Sequence, residues 1–401
     1  MEKTLKILIV AGEPSGDTHA AELVDQLKKL SPGAEFFGAG GPKLKAAGVS
    51  LTYDLTSIAV VGFMEVLKNL PTFRKVFAAL LAETDRRRPD LAVLVDYPGF
   101  NLRLAAELKK RGIPVVYYIS PQIWAWGKER IGQIKRDIGT MLVILPFEEK
   151  IYRDAGVDAS FVGHPALDHV KPGSARKPFL ENAGLDSEKL TVSLLPGSRE
   201  KEVRNLLPVM LKTASIIESY MSGKVQFLIL RSPSVSEELF RQATAKAKLS
   251  RGLKLATVTG ATYDGIAASD FCLVCSGTAT LETGILGTPM AILYKVNLLT
   301  WLYMRVMIRI PFIGLVNIVT GRKVVEEFIQ YDCDPWKIAD HVLRFLRDPA
   351  RLGGVRKELA QLRLSLGEPG ASRRAAEKVL DFAQLGAYPR NSCAQAQHRR
   401  S

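Results

Sequence analysis

Lys6-Ile-Leu-Ile-Val-Ala11, followed at once by Gly12-Glu-Pro-Ser-Gly-Asp17 and then by the amphipathic segment His19–Leu30, is the stretch that decides the fold. A short apolar run without polar alternation reads as a strand covered on both faces, and a turn leading into a helix makes it the first half of a β-α unit. The pattern recurs at Leu91–Asp96, Pro114–Ile119 and Met141–Pro146, with the amphipathic segment Asn101–Arg111 closed by Gly112, where a helix C-cap favours glycine. It starts again at Leu190–Leu195, Lys224–Arg231, Asp270–Cys275 and Pro289–Tyr294. Two doubly wound α/β halves in tandem, each built on a parallel sheet, are therefore expected.

The expected division is a first domain over 1–165, a polar linker over 166–189, a second domain over 190–345, charged helices over 346–385, and a disordered tail over 386–401. With 47% hydrophobic and 24% charged residues in 401, disordered and fibrous classes are excluded. Lys and Arg number 55 against 41 Asp and Glu, and the resulting +14 favours phosphate-bearing partners or an anionic membrane surface. A basic nucleic-acid-binding protein is the rival from another class, but no helix-turn-helix, zinc or RNP-like signature accompanies the charge. No uninterrupted apolar stretch reaches the roughly 18–20 residues of a membrane span, since Arg305, Arg309 and Pro311 break the best candidate, and the short run Ile7–Ala11 is expected to be a first strand rather than the apolar region of a secretory signal. Four cysteines in a chain of this length form no disulfide framework, which suits a reducing cytoplasm; Cys272 and Cys275 fall inside an apolar run and read as structural.

Ligands of open parallel sheets bind beyond the carboxyl ends of the strands. There the first half offers Glu13, Ser15, Gly16 and Asp17, with His19 close behind as a second-choice base. It also offers Asp96, a carboxylate ending an apolar run, which burial would make more basic and fit to accept a proton from a sugar hydroxyl. The plainer alternatives are that Asp17 caps a helix and Asp96 a turn. The second half offers Leu195-Pro-Gly-Ser198-Arg199 and Ser276-Gly277-Thr278-Ala279-Thr-Leu-Glu282, small residues at helix starts with one arginine, suited to a diphosphate, and Glu282 is placed to take ribose hydroxyls. Asp332-Cys-Asp334 has the spacing of a metal-binding acid pair, but no strand is expected before it, Pro335 and Trp336 follow, and no zinc spacing occurs. Two segments, 58–81 with Val61, Phe63, Met64, Phe73 and Phe77, and 298–312 with Trp301, Met304, Arg305 and Arg309, have broad apolar faces that fit acyl chains or a bilayer; ordinary core packing is the alternative.

Taken with Gly38-Ala-Gly-Gly-Pro42, Asp96-Tyr-Pro-Gly-Phe-Asn101, Ser120-Pro-Gln-Ile-Trp-Ala-Trp126, Leu145-Pro-Phe-Glu148 and Gly163-His-Pro165, these loops resemble the lipid-A-disaccharide synthase family over roughly residues 5–385. The resemblance implies a GT-B fold, with two Rossmann-like halves facing across a cleft and the C-terminal helices returning to the first half. It implies transfer of the sugar of UDP-2,3-diacylglucosamine to 2,3-diacylglucosamine 1-phosphate, without metal or cofactor, by a peripheral protein on the cytoplasmic face of the inner membrane, with a homodimer among the partners it allows. By position, Asp96 matches the family's general base, Arg199 and Asn317 match residues of donor binding or turnover, and Ser276–Glu282 matches the UDP site. Gly99 stands where many members carry a second acid. The rivals within enzymes are a UDP-N-acetylglucosamine transferase of peptidoglycan precursor synthesis and a UDP-sugar epimerase of the same fold.

Overall fold

The computed structural model describes residues 4–59, 70–125, 127–245, 249–250, 252–296, 301 and 311–386. The chain forms two units, one of the residues up to Pro165 together with those from Gly367 onward, the other of Ala166–Leu366. In the first, strands β1 (Lys6–Ala11), β2 (Glu35–Gly40), β3 (Ser50–Asp54), β4 (Leu91–Val95), β5 (Val115–Tyr118), β6 (Thr140–Val143) and β7 (Ala159–Phe161) form one parallel sheet in the order β3-β2-β1-β4-β5-β6-β7. In the second, β8 (Leu190–Leu195), β9 (Val225–Arg231), β10 (Leu255–Thr259), β11 (Phe271–Cys275), β12 (Met290–Tyr294) and β13 (Glu326–Ile329) form another in the order β10-β9-β8-β11-β12-β13. The order reverses between β1 and β4 and between β8 and β11, so each sheet has a switch point where flanking loops diverge and leave a crevice.

Strand β1 shows why the apolar runs are continuous. Ile7, Ile9 and Ala11 face one layer, formed by Ala20, Leu23, Val24 and Leu27 of helix Pro14–Leu30 with Ala375, Ala376 and Val379 of helix Ala371–Gly386. Leu8 and Val10 face the other, with Leu104, Ala105 and Leu108 of helix Pro98–Lys110 and Val76 and Leu80 of helix Leu70–Arg87. All five strand residues are fully buried, and each larger one contributes about 1.5–3 kcal/mol. In the second unit, helices Glu200–Met221 and Pro335–Leu346 pack together over one face of the sheet.

Two expected boundaries differ. Residues 166–189 are folded into the second unit: Arg176, in helix Arg176–Asn182, pairs with Asp270 at 2.9 Å and donates to the carbonyls of Ala268 and Lys189 at 2.6 and 2.9 Å. Of the C-terminal helices, only Ala371–Gly386 lies in the first unit. Helix Pro349–Ser365 stays with the second, because its buried Leu359 and Leu362 pack on helix Thr278–Ile285, where Gly284 leaves room for the Leu362 side chain.

Candidate active site

The loops that leave β1 and β4 meet at the switch point of the first unit. Asp96 and Tyr97 both take left-handed backbone angles, φ +48° and +51°, which for residues with side chains stores about 1–3 kcal/mol each. Hydrogen bonds hold them there: the Asp96 N–H donates to the Tyr118 carbonyl at 3.0 Å, and the Asp96 carbonyl accepts from the Tyr117 hydroxyl at 2.6 Å and the Asn101 amide at 2.7 Å. The Tyr97 ring lies over Gly12, where a Cβ would stand 2.1 Å from Cδ1, so only glycine fits the β1 loop at that point. The Asp96 carboxyl is largely buried. Desolvation raises its pKa from 3.8 to about 6, the Glu13 carboxylate pushes the same way, and the Tyr97 N–H and His19 oppose. His164, in the loop after β7, is buried and its pKa is pushed down to about 4 by burial and by His19. A carboxylate of this basicity, with the His19 imidazole acting on it, is equipped to accept a proton near neutral pH.

Not every expected residue of this edge is available to a ligand. Asp17 is buried, and its two oxygens accept from the backbone N–H groups of Gly41 at 2.7 Å, Lys43 at 2.9 Å and Leu44 at 3.2 Å. It therefore caps helix Pro42–Ala46 rather than the helix it sits in, and it builds the site instead of acting in it. Glu13 on the loop and Ser15 in the first turn of helix Pro14–Leu30 are exposed, and Gly16 packs beside the Val95 carbonyl. Sequence patterns do not single out Tyr117, which reads as core, or the role of Asn101.

At the switch point of the second unit, a cavity of about 310 Å³ is lined by Leu195 and Gly197–Arg199 after β8, Leu230 and Ser232 after β9, Thr262, and Cys275–Ala279 with Glu202 and Glu282. The N–H groups of Gly277, Thr278 and Ala279, at the start of helix Thr278–Ile285, have no partner among the described residues, and the Arg199 side chain is largely exposed. These are donors for an anion. Glu202 was not foreseen. Its carboxylate accepts from the N–H groups of Ser198 and Arg199, both at 3.1 Å, and pairs with the Arg199 guanidinium at 3.1 Å. Gly197, φ +113°, is required here, since a Cβ would stand 2.5 Å from Glu202 Oε2. An acid three residues beyond Arg199 is the capping-box signal that would have found it. Across the cavity, Glu282 accepts from the Tyr263 hydroxyl at 3.1 Å, and burial raises the pKa of both groups.

Asn317 does not line this cavity. It is fully buried, its amide donating to the Val325 carbonyl and Glu327 at 2.9 Å each and accepting from the N–H groups of Val324 and Val325 at 2.8 and 3.0 Å, so it orders the turn into β13. Asp334 caps helix Pro335–Leu346 and Asp332 pairs with Lys337 at 2.7 Å. Cys272 and Cys275 are buried free thiols, Cys275 pushed up to about 12 by burial. Of the apolar segments, Phe73 and Phe77 lean on the core of the first unit, with Phe77 edge-on to Phe100 at 5.3 Å, and Trp301 is half-buried. Val61, Phe63, Met64, Met304, Arg305 and Arg309 lie outside the described residues, among which no helix is long and apolar enough to cross a membrane.

A family model described as lipid-A-disaccharide synthetase matches residues 7–380. The lipid-A-disaccharide synthase of Syntrophus aciditrophicus is 49% identical over 93% of this chain and 97% of its own length, and that of Myxococcus xanthus 42% over 95% and 98%. Among solved structures, the glycotransferase of kitacinnamycin aligns with a TM-score of 0.61 at 16% identity, covering 95% of this chain and 99% of its own. A UDP-GlcNAc 2-epimerase from Neisseria meningitidis bound to UDP-GlcNAc aligns at 0.56 and 12%, covering 95% and 100%. At such identities the two structures speak for the fold alone.

Proposed function

The chain belongs to the lipid-A-disaccharide synthase family, glycosyltransferases of GT-B fold, and from that premise we propose that it joins UDP-2,3-diacylglucosamine to 2,3-diacylglucosamine 1-phosphate with inversion at the donor's anomeric carbon. Asp96 takes the proton of the acceptor's 6-hydroxyl as that oxygen bonds to C1 of the donor sugar. The bond from C1 to the diphosphate oxygen breaks, and UDP departs with its charge met by Arg199 and the N–H groups of Gly277–Ala279. The product is a β-1,6-linked disaccharide 1-phosphate.

The observation that carries this reading is Asp96, a carboxylate locked at the switch point with a pKa near 6, ionised at pH 7 yet more basic than an ordinary aspartate. General-base assistance of this kind is worth about 10²–10⁴ in rate. The cavity of the second unit supplies the complementary chemistry: anion donors, and a carboxylate for the ribose. The net charge of +14 and the apolar segments 58–81 and 298–312 support peripheral binding to the cytoplasmic face of the inner membrane. The test is to incubate the purified protein with the two substrates and look by mass spectrometry for the disaccharide 1-phosphate and UDP. Their formation supports the proposal. No product, or conversion of UDP-N-acetylglucosamine in its place, contradicts it.

A further inference from the structure

Glu282 is reached from a wall of the cavity that the phosphate donors do not use. Tyr263 belongs to helix Thr262–Ala267, which is held close to the sheet because Gly265 leaves room for the Leu230 side chain of β9; a Cβ there would stand 2.2 Å from Leu230 Cδ2. From that fixed position the hydroxyl donates to Glu282 Oε1 at 3.1 Å. Both groups are half-buried or more, and burial keeps the phenol protonated, so the bond runs from hydroxyl to carboxylate.

A carboxylate offers about four acceptor positions and no donor. Tyr263 uses one on Oε1, and the rest remain for groups inside the cavity. A vicinal diol, which presents two O–H donors side by side, is the complement of such an acceptor set. A free glutamate samples many rotamers and loses that freedom when it binds; one held by a phenol on a rigid helix has lost part of it beforehand, which leaves more of the interaction as affinity. On the reading of this cavity as the donor site, we infer that Tyr263 is a positioning residue whose hydroxyl fixes the Glu282 carboxylate to receive the ribose diol of the uridine nucleotide.

The test is calorimetric titration of the full chain and its Tyr263→Phe variant with UDP and with 2′,3′-dideoxyuridine 5′-diphosphate, which lacks the diol. The variant should bind UDP about two- to tenfold more weakly, the range set by one hydrogen bond, and bind the dideoxy nucleotide as the wild type does. In turnover, KM for the UDP-sugar should rise by the same factor with kcat unchanged, and Tyr263→Phe should add nothing in a Glu282→Ala background. Equal weakening toward both nucleotides would show a wall-to-wall tie that shapes the cavity generally, and undiminished UDP affinity would show no role at all; either overturns the inference. A wild type that binds UDP but prefers it no more than the dideoxy form also overturns it and leaves the donor site standing. A wild type that fails to bind UDP removes both. An unchanged melting temperature confirms that the variant is folded.

Discussion

Replacing Asp96 by Asn should slow turnover and make the protein more stable, the second by an amount that follows from the burial of its carboxyl. The pKa is raised from 3.8 to about 6 on folding, which corresponds to about 3 kcal/mol. The folded state binds this proton more tightly than the unfolded state. Below about pH 4 the group is protonated in both states and the penalty nearly vanishes; between pH 4 and 6 folding takes up a proton and the penalty grows; above pH 6 it is ionised in both states and the full penalty stands. Asn has the same shape and no charge to bury. At pH 8 the first unit of Asp96→Asn should therefore melt about 6–12 °C above the wild type, at the usual 2–4 °C per kcal/mol for a unit of this size, and the difference should shrink to a degree or two near pH 4. Scanning calorimetry reads this, with UDP added to identify the transition of the second unit. The wild type's turnover should in turn fall about tenfold between pH 7 and pH 5, as a base with pKa near 6 is protonated. A variant no more stable than the wild type at pH 8 would refute the reasoning, since it would mean the carboxyl carries no desolvation penalty.

Arg199→Ala should weaken UDP binding by about 1.5–3 kcal/mol, the scale of a charged hydrogen bond; unchanged affinity by calorimetry would take Arg199 out of the site. Glu202→Gln removes a negative charge from the same donors and should tighten UDP binding about three- to tenfold, whereas weaker binding would show that Glu202 assists the nucleotide. Turnover should withstand EDTA; a loss restored by Mg²⁺ would introduce a metal into the mechanism. Polar replacement of Trp301 and Met304 together should weaken flotation with anionic vesicles, and undiminished binding would assign membrane contact elsewhere.

The central strands could be read because they are buried on both faces and so leave uninterrupted apolar runs, as in Ile7–Ala11 and Leu91–Val95. The runs singled out do not include β2, β3, β7, β10 or β13. In β2, Phe36 and Phe37 are followed by Gly38 and Gly40, and in β3 and β10 most residues at the sheet edge are partly exposed, so neither leaves an apolar block. Within the site, Asp96, Arg199 and the Ser276–Glu282 loop stand directly after strands, where topology alone points. What sequence could not give is pairing at a distance. Asp17 looks like a ligand-facing acid until its oxygens are found on the N–H groups of residues 41–44; Asn317 looks available until its amide is found closed on 324–327; and Tyr263 has no pattern to connect it with Glu282, nineteen positions later.

The proposed reaction divides the labour, a proton accepted in the first unit and a nucleotide held in the second. Measuring turnover and UDP affinity side by side for Asp96→Asn tests it most directly. Turnover should fall by about 10²–10⁴ with the dissociation constant for UDP unchanged. Near-normal turnover, or UDP affinity lost in step with activity, would contradict it.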